Sequence, residues 1–308
     1  MKFPNLFIAG APKCGTSALA AYLDDHPQVY MCPEKEPHYF ADDFPSLRQA
    51  TDLDEYLAMF AEVNEGHVAV GEASVNYLFS KTALSNIHKF NPDSRIIVLL
   101  RNPVDQAYSQ HSQLLFGLYE DEPDFETAWA LQETRVAGNR IPSTCTCPEV
   151  LQYYEMAAYS GQLVRLFDTF PKDQVLIFLT DDLAKDPGLV YRRSLELMGI
   201  QPDGRTHFPR VNENKVARSG VLARFTERPP EAWRKGAGWI RRIAGIKRIG
   251  VLQRLRDMNK QIIQRQPLRP EFRAELVDVF APEVEKLEHI LGRDLRMWTN
   301  TETKATAH

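Results

Sequence analysis

The sequence has no hydrophobic run long enough to cross a bilayer, and its first residues lack the long apolar region of a signal peptide. It has only four cysteines. No histidine cluster accompanies them as in a zinc site, and Cys145 and Cys147 are too close for an unstrained disulfide. We therefore expect reduced thiols in a cytoplasmic protein.

Internal repeats, low-complexity tracts and long linkers are also missing. A chain of 308 residues, 44% of them hydrophobic, is long enough to build one large globular unit. We therefore predict a single domain over residues 1–308. It would have a core over about residues 5–220 and a basic helical C-terminal region over about residues 221–300.

Positive charge is concentrated in one part of the chain. Between Arg205 and Arg265, 16 Lys or Arg stand against 4 Asp or Glu, although the whole chain has a net charge of −4. Within this part, residues 233–256 alternate Trp, Ile and Leu with Arg, which is typical of a basic amphipathic helix. Two interpretations stay open: arginines that simply face water, or peripheral contact with an anionic membrane or an acidic acceptor. We expect no nucleic-acid partner.

Short apolar runs alternate with helical patterns along the first two thirds of the chain. The predicted strands are Asn5–Gly10, Val68–Val75, Arg95–Leu100 and Gln174–Leu179, and the predicted helices are Ser17–Asp25, Asn102–Leu115, Glu149–Phe170 and Pro187–Met198. This alternation predicts the α/β class, with a central parallel sheet, flanking helices and right-handed crossovers. The C-terminal part is predicted to be mostly helical.

The stretch GAPKCGTS, residues 10–17, resembles the phosphate-binding loop G-x-x-x-x-G-K-[ST]. Thr16 stands where that pattern has its lysine, and Lys13 lies inside the loop instead. A strand, a glycine turn and a helix start direct several backbone N–H groups and the helix dipole at one point, which favours an anion. A tight turn with a helix cap is the alternative. The predicted anion-binding residues are Lys13, Cys14, Gly15, Thr16 and Ser17.

The run RIIVLL ends in Arg101, where a kinase or ATPase would have a magnesium-binding Asp at the end of a neighbouring strand. A cation at this position predicts an anion site without a metal and argues against a triphosphate. Arg101 and Ser109, about two turns into the next helix, are placed to hold a second phosphate. Alternatively, Arg101 pairs with a structural carboxylate.

PKCGTSAL followed by LLRNPVDQAYSQH resembles the sulfotransferases that use 3′-phosphoadenosine-5′-phosphosulfate (PAPS), over roughly residues 5–220. The resemblance implies the P-loop-like sulfotransferase fold and PAPS as sulfuryl donor, without a metal. It implies that the loop holds the 5′-phosphosulfate, with Lys13 reaching the bridging oxygen, while Arg101 and Ser109 hold the 3′-phosphate. FPRVNENKVARS is similar to the loop that closes over the nucleotide, where Lys215 and Arg218 would touch phosphate. A solvated basic loop is the alternative there.

CPEKEPHYF, residues 32–40, is similar to the K-E-x-H-F-F segment of heparan-type and related carbohydrate sulfotransferases. The resemblance implies that Glu36 is the catalytic base. His38 is a rival base, and pairing of Glu36 with Lys35 or another surface cation is a further alternative. Heparan-type enzymes carry a lysine where this chain has Ala73, which puts a glycosaminoglycan acceptor in doubt. Glu72, Ser74 and Tyr77 beside it are then candidate acceptor-site residues.

The resulting hypothesis is a metal-independent enzyme that moves a sulfuryl group from PAPS to a hydroxyl of a sugar, a glycolipid or another hydroxylated metabolite. Two alternatives stay open at this point. One is a P-loop kinase for a small molecule. The other is a catalytically inert nucleotide-binding protein that keeps the fold.

Overall fold

The computed structural model describes residues 3–209, 215–217, 260–262 and 266–300, with the two three-residue stretches described by their backbone alone. The centre is a sheet of five parallel strands in the order β2-β3-β1-β4-β5. The strands are β1 Leu6–Gly10, β2 Val29–Met31, β3 Ala69–Ala73, β4 Arg95–Leu100 and β5 Val175–Leu179. Strands β1 and β4 are almost wholly buried, which explains their unbroken apolar sequences.

Helices connect the strands of the sheet and continue beyond it. They are α1 Thr16–Asp24, α2 Leu53–Ala58, α3 Ala83–Phe90, α4 Pro103–Phe116, α5 Phe125–Ala130, α6 Gln132–Val136, α7 Tyr153–Ala157, α8 Tyr159–Thr169, α9 Thr180–Lys185, α10 Pro187–Leu197 and α11 Pro270–Leu291. The predicted α/β class with a helical C-terminal part is confirmed. Helix α4 begins at Pro103, where the missing proline N–H would have had no partner within the helix.

The long helix predicted over Glu149–Phe170 is wrong, because the chain forms a 3₁₀ turn over Pro148–Leu151 and then the separate helices α7 and α8. The break between α7 and α8 is at Ala158, whose ψ of 80° is not helical. The buried side-chain amide of Gln162 donates to the carbonyls around this break, including Glu155 O at 2.9 Å. Those tertiary hydrogen bonds stabilise the break, and apolar periodicity does not reveal them.

Contacts divide the chain into two units. The first comprises residues 1–110, 152–211 and 269–308 and holds the five-stranded sheet. The second comprises residues 111–151 and 212–268 and holds α5, α6 and an antiparallel pair of strands, β6 Lys215–Ala217 and β7 Lys260–Ile262. The division concerns contacts, so the single domain expected over residues 1–308 stays a prediction.

The basic segment 233–256 lies outside the described residues, and its predicted helix and membrane contact stay predictions. In the described part of the chain, no helix is both long and apolar enough to pass through a bilayer.

Candidate active site

The candidate residues follow the carboxyl ends of the sheet strands. The anion loop, residues 10–17, follows β1, the segment with Glu36 and His38 follows β2, and Arg101 follows β4. Because parallel strands place their carboxyl ends at one edge of the sheet, the fold brings these distant stretches of sequence to the same edge. This edge is where ligands bind in open α/β sheets.

The anion loop turns into α1 through two residues in the left-handed region, Lys13 with φ 65° and Gly15 with φ 94°. A Cβ added to Gly15 would lie 2.7 Å from Cδ2 of Leu183, so a larger residue meets both backbone strain and a close contact. Gly15 is also the N-cap of α1, and as a glycine it has no side chain to accept a hydrogen bond from the first turn. The positive dipole end at the start of α1 favours the predicted anion.

Side chains from neighbouring elements hold the carbonyls of the loop. Gln106 Nε2 donates to Pro12 O at 3.3 Å, Arg101 Nη1 to Lys13 O at 3.4 Å, and Thr180 Oγ1 to Cys14 O at 3.2 Å. With three successive carbonyls bonded to other parts of the fold, the loop is fixed in one shape before any ligand arrives. Such preorganisation favours the binding of a small anion.

Cys14 lies under the loop with its side chain fully buried. Its thiol donates to Pro12 O at 3.4 Å and lies 3.9 Å from the Tyr159 hydroxyl. Burial raises the pKa of the Cys14 thiol to about 12, so the thiol is neutral. Of the predicted loop residues, Cys14 can therefore meet an anion only through its backbone.

Arg101 joins the second motif to the first, since its guanidinium group bonds the backbone of Lys13. No carboxylate of the described residues lies within 4 Å of this guanidinium group, which disfavours a structural ion pair. Ser109 lies in α4 and is 3% exposed. The chain beside Arg101 is anchored from the C-terminal part, where Asn102 Nδ2 donates to Trp298 O at 3.1 Å.

Glu36 and His38 differ in their exposure. The Glu36 side chain is 29% exposed and pairs with Lys35 at 3.5 Å, so the surface pairing considered from the sequence does form. His38 is buried, and its Nε2 lies 3.3 Å from Asn76 Nδ2. Burial lowers the pKa of His38, while the nearby Glu36 charge opposes the shift. Of the two side chains, that of Glu36 is therefore the more accessible.

The side chains of Glu72, Ser74 and Tyr77, the candidate acceptor-site residues, are all buried, and their contact with an acceptor stays a prediction. The Glu72 carboxylate accepts hydrogen bonds from three hydroxyls: Ser74 at 2.6 Å, Tyr77 at 2.9 Å and Tyr56 at 2.8 Å. Burial raises the pKa of Glu72 to about 7, although these hydrogen bonds oppose the shift. Sequence reasoning missed this cluster; the signal was a carboxylate inside a buried strand.

The two remaining candidates lie in the second unit. Lys215 begins β6 and is paired by its backbone with Ile262 of β7, and Arg218 lies outside the described residues. Contact of either residue with phosphate stays a prediction. Searched over the described ranges, the chain has no group of three His, Cys, Asp or Glu side chains that could hold a metal ion.

The family described as the sulfotransferase domain matches residues 3–216. A crystal structure of a sulfotransferase from Alicyclobacillus acidocaldarius is similar with a TM-score of 0.71. It is 29% identical in sequence, and the match covers 97% of this chain and 100% of that one.

Two human proteins show the range of curated relatives. Heparan sulfate glucosamine 3-O-sulfotransferase 6 is 32% identical over 114 residues, which cover 37% of this chain and 31% of the relative. Carbohydrate sulfotransferase 15 is 24% identical, and the match covers 65% of this chain and 44% of the relative. The chain thus spans less than half the length of these two relatives.

Proposed function

The chain belongs to the sulfotransferase domain family, and from this premise we propose that it moves a sulfuryl group from PAPS to a hydroxyl group of an acceptor. One observation carries the proposal: Arg101 bonds the backbone of Lys13, which joins two predicted phosphate-binding motifs beside the start of α1. A site with two cationic side chains and a helix N-terminus suits a donor that carries phosphosulfate at one end and phosphate at the other.

The residues present fit this donor. The loop carbonyls are bonded elsewhere in the fold, and Gly15 gives the loop its left-handed turn. Lys13 and the N–H groups at the start of α1 would hold the 5′-phosphosulfate, and Arg101 with Ser109 would hold the 3′-phosphate. Bound PAPS would supply an activated sulfuryl group.

The chemistry assigned to the chain is proton transfer and charge stabilisation. Glu36 would accept the proton of the acceptor hydroxyl as its oxygen bonds to sulfur in line with the leaving oxygen. The bond between sulfur and the bridging oxygen breaks, and Lys13 would stabilise the negative charge that develops on the departing phosphate. The buried imidazole of His38 would orient the segment rather than take the proton.

The acceptor is proposed to be a sugar, a glycolipid or another hydroxylated small molecule. The names of the relatives point to glucosamine and other carbohydrate acceptors, while Ala73 replaces the lysine of heparan-type enzymes. An acceptor screen with labelled PAPS, followed by mass spectrometry of the product, would identify both the acceptor and the sulfated position.

Nucleotide binding gives the first test. A ligand that binds only the folded state raises the melting temperature with its concentration. The product nucleotide, 3′-phosphoadenosine-5′-phosphate (PAP), should do so without magnesium. Stabilisation by ATP with magnesium and none by PAP would contradict the proposal and favour the kinase alternative.

The role of Arg101 is tested by comparing two donors. Arg101→Ala should weaken PAPS binding far more than binding of adenosine 5′-phosphosulfate, because only PAPS has a 3′-phosphate. Loss of a charged bidentate contact is worth on the order of 2–5 kcal/mol. Equal losses for the two nucleotides in calorimetry would show that Arg101 acts only through its bond to the Lys13 backbone and not on the 3′-phosphate.

The base is tested by a set of three variants. Glu36→Gln should leave PAP affinity nearly intact while turnover falls by about 10²–10⁴-fold, the usual effect of removing a general base. Lys13→Ala should lower both affinity and turnover, because the lysine meets the anion before and during transfer. His38→Asn should be the mildest of the three. Normal turnover in Glu36→Gln together with loss in His38→Asn would assign the base to His38.

A further inference from the structure

The segment that presents Glu36, residues 35–40, has an unusual backbone. Glu36 and His38, on either side of Pro37, have φ values of 55° and 51°. The left-handed region is unfavourable for residues with a Cβ, and such residues persist only where the surroundings determine them. The structure must therefore hold this segment in place.

Gln49 holds the carbonyl side of the segment. Its backbone N–H donates to Pro37 O at 2.9 Å, and its side-chain amide donates to Glu36 O at 3.0 Å and to the carbonyl of Lys35. Three successive carbonyls thus depend on one residue. Gln49 is exposed, so these hydrogen bonds compete with water.

The amide side of the segment is held by buried hydroxyls. The His38 N–H donates to Ser74 Oγ at 3.0 Å, and the Phe40 N–H donates to the Tyr77 hydroxyl at 3.4 Å. Each hydroxyl has one proton and uses it to donate a hydrogen bond to the Glu72 carboxylate. The carboxylate therefore determines the direction of both hydroxyls and leaves their lone pairs for the backbone amides.

Tyr56 provides an internal comparison. Its hydroxyl is also buried and also donates to Glu72, at 2.8 Å. Among the described residues, the Tyr56 hydroxyl makes no hydrogen bond to the backbone of residues 35–40. The Tyr56 ring stacks on Tyr39 with centroids 4.6 Å apart. In the described part of the chain, no Lys, Arg or His lies within 4 Å of the Glu72 carboxylate, so hydroxyls rather than a cation satisfy it.

We propose that Glu72 is a positioning residue of the transfer site: it orients Ser74 and Tyr77, and these fix the amides of His38 and Phe40 so that Glu36 is presented to the acceptor. The inference rests on the proposed role of Glu36 as base. An ionised carboxylate can accept hydrogen bonds from all three hydroxyls at once. A glutamine would replace one acceptor oxygen with an NH₂ group, which is itself a donor and cannot accept from them. Within the described ranges, the Glu72 carboxylate is buried without a cation. This is consistent with a group whose role is to fix the positions of its hydrogen-bond donors.

The first test measures geometry without activity. Hydrogen exchange at the His38 and Phe40 amides, followed by NMR, would compare Ser74→Ala and Tyr77→Phe with the matched control Tyr56→Phe. We expect Ser74→Ala to speed exchange at His38 by about tenfold, and Tyr77→Phe to do so at Phe40, a factor that corresponds to about 1.4 kcal/mol. Tyr56→Phe should leave both amides within about threefold of wild type. Equal behaviour of all three variants would overturn the inference.

The second test asks whether the geometry matters for transfer. Ser74→Ala should lower kcat by about tenfold with little change in KM for PAPS, because the donor site is untouched. In a Glu36→Gln background the same substitution should lower kcat no further. A full additional tenfold loss there, or unchanged kcat in Ser74→Ala, would overturn the inference.

Failure of the proposed function looks different. It would appear as no transfer from PAPS by the wild type, or as normal turnover in Glu36→Gln. The exchange experiment would still decide whether Glu72 and its hydroxyls hold the segment. Glu72→Gln is the direct variant, and if it fails to fold, Ser74→Ala and Tyr77→Phe carry the test.

Discussion

Each of the two units contains a fully buried carboxylate, and the two carboxylates have different kinds of hydrogen-bond donor around them. In the first unit, Glu72 is surrounded by three hydroxyl donors. In the second unit, Glu120 pairs with Arg135 through two bonds of 2.6 and 2.7 Å, with both side chains 0% exposed. The Glu120 carboxylate also accepts the backbone N–H groups of Asp121 and Glu122.

The difference separates a carboxylate held by a cation from one held by hydroxyls. A bidentate arginine fixes the orientation of its partner, and removing either member of a buried pair leaves an uncompensated charge. Hydroxyls stabilise a carboxylate less than a full positive charge does, so burial dominates at Glu72 and raises its pKa to about 7. The first unit therefore has a buried carboxylate whose charge responds to pH near a candidate active site.

The largest expected effect is on the ion pair of the second unit. Arg135→Met should lower the free energy of unfolding by about 3–5 kcal/mol, because the buried Glu120 carboxylate would lose its bidentate partner. Adding Glu120→Gln should recover part of the loss, since it removes the charge and keeps an acceptor for the two backbone amides. Urea denaturation of both variants measures this. A loss below about 1 kcal/mol in Arg135→Met would mean that the pair contributes little.

The next effect is the pH dependence of stability caused by Glu72. The pKa of Glu72 in the folded state, about 7, is above the ordinary value of 4.5. Between pH 4.5 and about pH 7, the folded state therefore keeps a proton on Glu72 that the unfolded state has released. This contribution to stability is fully present below pH 4.5 and is lost as the pH rises through about 7. It amounts to about 3 kcal/mol, at about 1.4 kcal/mol for each pH unit.

The measurement is the difference between wild type and Glu72→Gln across pH 4 to 8. This difference is needed because burial lowers the pKa of His38 and His111, which makes stability rise with pH over part of the same range. Tyr56, Tyr77 and Cys32 also face the carboxylate, but burial raises the pKa of each, so they stay neutral there. A difference that does not change with pH would show that Glu72 does not titrate in this range.

The sequence predicts those parts of the fold and of the candidate site that depend on neighbouring residues in the chain. The bounds of β4 follow from an apolar run and appear as expected, and α4 begins at Pro103, one residue after the predicted start. The anion loop is predicted from its glycines and Lys13, and its binding of an anion stays a prediction. The strand β2, three residues long, was too short for a periodicity signal.

The Glu72 cluster and the Glu120–Arg135 pair could not be predicted, because their members come from separate elements. Tyr56 lies 16 residues before Glu72 and Arg135 lies 15 residues after Glu120, so packing rather than local pattern brings them together. The sequence makes Glu72 a candidate acceptor-site residue because it lies beside Ala73, at the position of the heparan-type lysine. It does not reveal that the Glu72 side chain is buried.

A smaller effect is expected from the hydroxyl of Tyr56. Tyr56→Phe removes one donor to Glu72 and keeps the ring that stacks on Tyr39. The loss in unfolding free energy should be about 1–3 kcal/mol above pH 7, where the carboxylate is ionised, and smaller below pH 4.5. Thermal denaturation at the two pH values checks this. An equal loss at both would indicate that the hydrogen bond does not depend on the charge of Glu72.

The smallest effect concerns the exposed carboxylate, Glu36. Its partner Lys35 is 73% exposed and the pair is 3.5 Å apart, a geometry in which ion pairs contribute about 0–1 kcal/mol. Lys35→Ala should therefore change stability by less than about 1 kcal/mol and turnover by less than about threefold, whereas Glu36→Gln should lower turnover by about 10²–10⁴-fold. Parallel kinetics of the two variants separate pairing from proton transfer. If Lys35→Ala lowered turnover as much as Glu36→Gln, the ion pair would be the functional unit. In that case the function of Glu36 would depend on the exposed cation Lys35, whereas the carboxylates of Glu72 and Glu120 are held by buried groups.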